Sequence, residues 1–223
     1  MNNSIFLDIG NSNAKWKFKG EYFEIPTIEF NLDKLPKSPN IWVSNVSSNF
    51  AIEKKSNISL VEAQKKYKSL FNSYEEPNML GSDRWLAMIA SYEMNLGESF
   101  VVVDIGTAVT IDLVNKSGQH LGGVIFPGLH KIRETFNNFP IINETKLNNI
   151  SKSTEGAWSI GTLGLVVNGI NRKVHDFKIS EPDITIYLTG GGASCLEKFL
   201  DFTYVYQKNL VLDGLELFTD NVG

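Results

Sequence analysis

The amino-acid sequence predicts an α/β protein assembled from two similar halves, and three observations carry that expectation. Strand-like and helix-like segments alternate along the 223 residues, as they do where helices are laid on sheets. The segment Leu7-Asp8-Ile9-Gly10-Asn11-Ser12 returns 96 positions later as Val103-Asp104-Ile105-Gly106-Thr107-Ala108, both copies reading apolar, Asp, Ile, Gly, small polar, small. Each copy ends one strand-like run and begins another. Asp-x-Gly is also common turn chemistry, so the shared context gives the match its weight. The repeat divides the chain into expected domains 1–98 and 99–223, with a cleft between the halves.

In chain order, Ser4 to Ile9 is a β-prone run stopped by Gly10-Asn11-Ser12-Asn13. Ala14 to Phe18 alternates, and Gly20-Glu21 turns into Tyr22 to Ile25, which completes a β-meander. Residues 31–40 hold two prolines and read as a connector to a strand at Ile41 to Val43, a weak helix near Phe50 and a strand at Ile58 to Val61. Trp85, Ile89, Tyr92 and Leu96 recur at i, i+4, i+7 and i+11, predicting an amphipathic helix over 83–96 that Gly97 stops. The pattern then restarts with strands at Phe100 to Ile105, Val109 to Val114 and Leu121 to Phe126, and a turn at Ser117-Gly118. A helix follows Pro127-Gly128, and a longer one spans Thr154 to Phe177. Beyond it come a strand at Ile184 to Thr189, Gly190-Gly191-Gly192, a helix to Leu200, a strand at Tyr204 to Tyr206 and a last helix near Asp213 to Phe218.

Composition narrows the function classes. Apolar residues make up 42 % and charged residues 21 %, as in ordinary globular proteins, which excludes collagen and wholesale disorder. With 21 Lys and Arg against 25 Asp and Glu, the chain lacks the general attraction that non-specific nucleic-acid binding uses, so no nucleic-acid partner is expected. No apolar run reaches the roughly 18 residues of a membrane span. The start has no signal-peptide pattern, and the lone Cys195 allows no intramolecular disulfide, so a cytoplasmic location is expected. His120, His130 and His175 lack the spacing of a zinc site.

Turns rich in Gly, Ser, Thr and Asn can aim backbone N–H groups at phosphate oxygens. An Asp beside such a turn repels phosphate and instead suits a cation that bridges to it. Lys15, leaving the first turn, is either a cationic phosphate contact or a solvated strand lysine. Gly81-Ser82-Asp83-Arg84 places a carboxylate and a guanidinium together at a helix start, where an Asp is also ordinary dipole complementation. Gly122 to Gly128 pairs glycines within a strand, a sign of close backbone or ligand approach. The Gly190 run is either a tight turn or a seat for a phosphate or nucleoside. Neither a P-loop nor a Rossmann fingerprint is present.

Taken together, Asp8 to Ser12 with Lys15, Gly81 to Arg84, Asp104 to Thr110 and Gly122 to Gly128 resemble the four ordered motifs of type III pantothenate kinases, over about residues 5 to 218. The resemblance implies the superfold of acetate and sugar kinases, Hsp70 and actin: two ribonuclease-H-like domains with mixed sheets flanked by helices. It implies ATP-dependent phosphorylation of pantothenate to 4'-phosphopantothenate, the first step of coenzyme A biosynthesis, with Mg²⁺ and a monovalent cation, K⁺ or NH₄⁺. Asp8, Ile9, Gly10, Asn11, Ser12, Asn13, Ala14, Lys15 and Thr107 would then contact ATP, and Asp104 would hold the monovalent cation. Tyr74, Gly81, Ser82, Asp83, Arg84 and Thr154 would bind pantothenate, with Asp83 as base. Tyr74 otherwise covers apolar surface, and Thr154 otherwise caps the long helix. That helix, with Gly156, Gly161, Gly164 and Gly169, would build a homodimer. The chain is short for the family, and Ser12 stands where Thr is usual, which keeps the hydroxyl. Another small-molecule kinase of the same superfold and a non-catalytic regulator remain alternatives.

Overall fold

A tight meander opens the fold. Strands β1 (Ile5–Ile9), β2 (Asn13–Phe18) and β3 (Glu21–Pro26) pair antiparallel, with Asp8 opposite Lys15 and Lys15 opposite Glu24. The β2–β3 connection is Lys19-Gly20, both at positive φ (52° and 84°), the two-residue turn whose twist matches the flanking strands. The computed structural model describes residues 3–52, 55–95, 97–136, 138–141, 147 and 150–222. They form two units: residues Met1–Glu98, Val114–Gly122 and Asn209–Gly223, and residues Ser99–Leu113 and Gly123–Lys208.

In the first unit, β4 (Ile41–Asn45) and β5 (Ile58–Leu60) add parallel to β1, giving the order β3-β2-β1-β4-β5. Ile5, Leu7 and Ile9 point to one face by strand alternation and form a core with Ala14, Trp16, Phe30, Ile41 and Val43. Helices α1 (Ser82–Asn95) and α5 (Leu210–Val222) pack on each other and against β1 and β4. Of the expected apolar stripe of α1, Trp85 and Ile89 are fully buried and Tyr92 is half-buried; Leu86 and Met88, outside that stripe, are fully buried as well, and Gly97 follows at φ +95°. Leu96 lies outside the described residues. Polar contacts hold α5 to the meander: Lys17 Nζ meets Glu216 Oε2 at 2.6 Å and Asp213 Oδ1 at 3.3 Å, and Tyr22 Oη donates to Asp213 Oδ1 at 2.5 Å. Burial pulls the Lys17 pKa down, but the hydrogen bonds to Glu216 and Tyr22 outweigh it and hold it above the ordinary lysine value.

One expectation is corrected here, and one element is added to those expected. Among the described residues no helix forms near Phe50; a turn at 48–49 leads into irregular chain, where Phe50 is used as a cover, its ring 5.3 Å from Phe30 and its carbonyl accepting from Asn45 Nδ2 at 2.9 Å. An unexpected short hairpin, β6 (Lys66–Tyr67) and β7 (Leu70–Phe71), pairs through Phe71 with Gln119 and receives Gly118 against the Ser69 backbone.

The second sheet repeats the first. Strands β8 (Phe100–Ile105), β9 (Ala108–Val114), β10 (His120–Pro127), β11 (Thr185–Thr189) and β12 (Val205–Tyr206) take the order β10-β9-β8-β11-β12. Numbered from each repeat, both sheets read third, second, first, fourth, fifth, and in both the fourth strand runs parallel to the first. Residues 114–122, the tip of the β9–β10 hairpin, group with the first unit. Helix α2 (Leu129–Arg133) is one turn and a half, and α3 (Thr154–Ser180) buries Leu163, Val166, Val167, Ile170 and Val174 in the core of the second unit. Among the described residues no helix is long and apolar enough to cross a membrane.

Candidate active site

The first repeat turn is closed by Gly10 N–H donating to Asn13 O at 3.0 Å, which leaves Asn11 and Ser12 at an exposed tip. A second layer supports it: Thr27 N–H donates to Ser12 O at 2.8 Å, and Thr27 Oγ1 to Gly10 O at 2.8 Å. Ile9 and Ala14 bury their side chains in the core, so only their backbones face the turn. Asn13 Nδ2 donates to Glu24 Oε1 at 2.8 Å, and Lys15 Nζ stands 3.8 Å from the same oxygen.

Asp8 lies beside Ser44 in the β1–β4 register, and the buried Ser44 Oγ is 2.9 Å from Ser82 Oγ. That hydrogen bond fastens the first turn of α1, and with it Asp83 and Arg84, to the strand next to Asp8. Asp83 Oδ1 accepts the Arg84 N–H at 2.7 Å. The same oxygen crowds residue 81, where a Cβ would sit 2.5 Å away, so the close approach of the carboxylate requires glycine. Arg84 Nη1 donates to Tyr74 Oη at 3.1 Å, and its Cζ is 5.9 Å from the Tyr74 ring centre, within cation–π range. Tyr74 is placed by Asn72, fully buried, whose Oδ1 accepts the Tyr74 N–H at 3.0 Å. Five of the expected pantothenate contacts, Tyr74, Gly81, Ser82, Asp83 and Arg84, therefore stand together in the first unit.

The second unit assembles its own group around Asp104, at the end of β8 opposite Thr189 of β11. Gly106 N–H donates to Ala108 O at 2.9 Å, forming the turn that presents Thr107. Gly128 N–H donates to Thr107 O at 2.8 Å, so the end of the Gly122–Gly128 motif abuts this turn. Gly190 has φ +96°, and a Cβ there would run into Asp104 Oδ1 and Ile105 O; only glycine meets both demands. Gly192 N–H donates to Ile105 O at 2.8 Å, and α4 (Ala193–Leu196) follows. A cavity of about 440 Å³ opens beside Gly106 and Gly192, lined by Leu129, Phe136, Leu196 and Arg133 among others. Burial lowers the Arg133 pKa, and its guanidinium is retained by Thr162 Oγ1 and Ser159 O, both at 3.1 Å. Among the described residues no three His, Cys, Asp or Glu side chains cluster as a metal site.

Thr154 begins α3 with an exposed side chain, and it is not the cap: Ser153 Oγ accepts the Gly156 N–H at 3.1 Å. Residue-type reasoning missed His120 and Ser44. The sequence weighs His120 only as a metal ligand, yet it is fully buried with its ring stacked on Tyr74 at 6.1 Å.

The chain matches the family model described as type III pantothenate kinase over residues 38–176. It is 31 % identical to the type III pantothenate kinase of Marinobacter nauticus, covering 95 % of this chain and 96 % of that protein. Among solved structures it is similar to a protein of Campylobacter jejuni described as a conserved Baf family transcriptional activator, with TM-score 0.68, 28 % identity and 97 % of each chain covered. It also shares a fold with MreB5 of Spiroplasma citri, solved with ADP, at TM-score 0.51 and 12 % identity, covering 100 % of this chain and 97 % of that one.

Proposed function

Since this chain belongs to the type III pantothenate kinase family, we propose that it transfers the γ-phosphoryl group of ATP to the primary hydroxyl of pantothenate. The product is 4'-phosphopantothenate, and the step is the first of coenzyme A biosynthesis. The observation that carries this reading is the group at the start of α1: a carboxylate, and a guanidinium bonded to Tyr74, on a turn fastened beside Asp8 through Ser44 and Ser82.

Phosphoryl transfer passes through a loose transition state with little bond formation to the nucleophile, so positioning and charge dominate. Asp83 accepts the hydroxyl proton late. Arg84 pairs with the pantothenate carboxylate as a planar fork, Tyr74 steadies it, and Gly81, Ser82 and Thr154 complete the substrate contacts. The turn Asp8 to Lys15 offers backbone N–H groups and one ammonium to ATP phosphates, Thr107 adds a contact from its own turn, and Mg²⁺ travels with ATP.

Asp104 suits a monovalent cation by its chemistry: it is an anionic oxygen donor at a turn where the Ile105 carbonyl and the Gly190 backbone lie close by. When bound, K⁺ or NH₄⁺ supplies positive charge against the triphosphate. The domain boundary at residue 98, with each part ribonuclease-H-like and with residues 114–122 and 209–223 grouping with the first unit, and action in the cytoplasm belong to the same reading. A homodimer is supported by α3, where Leu165 is 64 % exposed and the space over Gly161 is open.

ADP release coupled to a reporter, with and without pantothenate and K⁺, tests the proposal. Release that depends on both is expected; release indifferent to pantothenate overturns the substrate. A non-catalytic regulator is the second reading, favoured only by the description of the Campylobacter jejuni protein, and absence of any release would support it.

A further inference from the structure

We propose that His120 is a positioning residue for Arg84, acting through the ring of Tyr74; the inference rests on the reading of Tyr74 and Arg84 as substrate contacts. Position 120 lies outside the motif glycines, at the first residue of β10, yet its imidazole is fully buried in the first unit. The hairpin tip sets it there. Asn115 O accepts the Gly118 N–H at 2.8 Å, Phe71 N–H donates to Gly118 O at 2.8 Å, and Gln119 pairs with Phe71. These bonds place His120 alongside residues 73 and 74. Its ring lies 6.1 Å from that of Tyr74 at an interplanar angle of 12°, an offset stack, and its Nδ1 is 3.3 Å from Ser73 Oγ.

Tyr74 is thus engaged twice, by the imidazole and by the guanidinium, whose Nη1 donates to its hydroxyl. A tyrosine ring alone turns about two torsions. With the imidazole stacked on it and its N–H held by Asn72, the hydroxyl stays at the point where Arg84 meets it. His120 itself does not touch substrate. It fixes the direction from which Arg84 reaches an acidic substrate, and so it affects substrate affinity more than phosphoryl transfer.

Three variants separate the components. His120→Ala removes the ring, His120→Asn keeps a partner for Ser73 without a ring, and His120→Phe keeps a flat ring without that partner. Losing an aromatic pair predicts a KM for pantothenate higher by about 2- to 12-fold in the Ala and Asn variants. KM for ATP should not move, and kcat should stay within about twofold. The Phe variant should restore the wild-type KM. A crystal structure of His120→Asn supplies a readout independent of turnover: the Tyr74 Oη to Arg84 Nη1 contact should open beyond 3.5 Å, about the limit of a hydrogen bond. If that contact persists, or if Phe fails to rescue while remaining folded, the positioning role is wrong. If wild type does not use pantothenate but the contact opens as expected, the positioning role stands and the substrate assignment fails.

Discussion

One methyl group added at Gly81 tests whether the Asp83 carboxylate must sit where it does. A Cβ at residue 81 falls 2.5 Å from Asp83 Oδ1 and 3.7 Å from its Cγ. Relieving that contact to an ordinary separation of about 3.4 to 4 Å moves the carboxylate by about 0.9 to 1.5 Å. The displacement also works against the Arg84 N–H, which donates to Oδ1 at 2.7 Å. The backbone accepts the change, since Gly81 is not among the residues at positive φ. A compatible Gly→Ala replacement stabilises a protein by about 0.4 to 1 kcal/mol by restricting the unfolded chain. Misplacing reacting groups by about 1 Å costs on the order of 10²-fold. Gly81→Ala should therefore lower kcat by about 10- to 100-fold, or about 1.4 to 2.7 kcal/mol of transition-state stabilisation. Coupled ADP release measures the rate, and thermal melting of the same preparation measures the fold. The expected pairing is unchanged or raised Tm with reduced kcat. Wild-type kcat in a variant that melts normally would refute the placement of Asp83 as base.

Asp83→Asn, which keeps shape and removes the proton acceptor, should cost about 10² to 10⁴ in kcat with little change in KM for ATP; steady-state kinetics decides it. Asp104→Asn should abolish activation by K⁺ or NH₄⁺, and wild type in sodium-only buffer should be nearly inactive; a cation titration of both proteins would show otherwise if activity is cation-independent. Sedimentation should give about twice 24.9 kDa for wild type, and Leu165→Glu on the exposed strip of α3 should give monomer; a monomeric, fully active wild type overturns the dimer.

The parts legible in the sequence were those with local causes. The meander follows from alternation broken by Gly10 to Ser12 and at Gly20, although the second turn is Lys19-Gly20 rather than the expected Gly20-Glu21, and α1 follows from a stripe at helical spacing that Gly97 stops. The repeated Asp-x-Gly pattern announced two sheets of the same strand order because each copy sits at the same strand end. What stayed hidden depends on partners distant in sequence. Strands of two residues, such as β6 and β7, have no period, and they exist because Phe71 pairs with Gln119, 48 positions away. Phe50 carries a helix-compatible neighbourhood but is claimed by Phe30 for packing. Ser44 has no signature at all, and its role appears only when β4 lies beside β1. His120 was read by its metal chemistry, whereas its surroundings use it as a flat ring.

The scattered membership of the first unit has a consequence for how the chain is made. A ribosome that has delivered residues 1–98 has produced β1 to β7 and α1, but neither the hairpin tip at 114–122 nor α5. Gly214 of α5 seats directly on the Leu86 backbone carbonyl, a contact so close that any Cβ there would collide with it. Until α5 emerges, that strip of α1 has no cover, while every residue of the second unit has already been synthesised. The unit begun first is therefore the one finished last, and the face of α1 that α5 covers has no partner yet synthesised throughout the translation of residues 99–208.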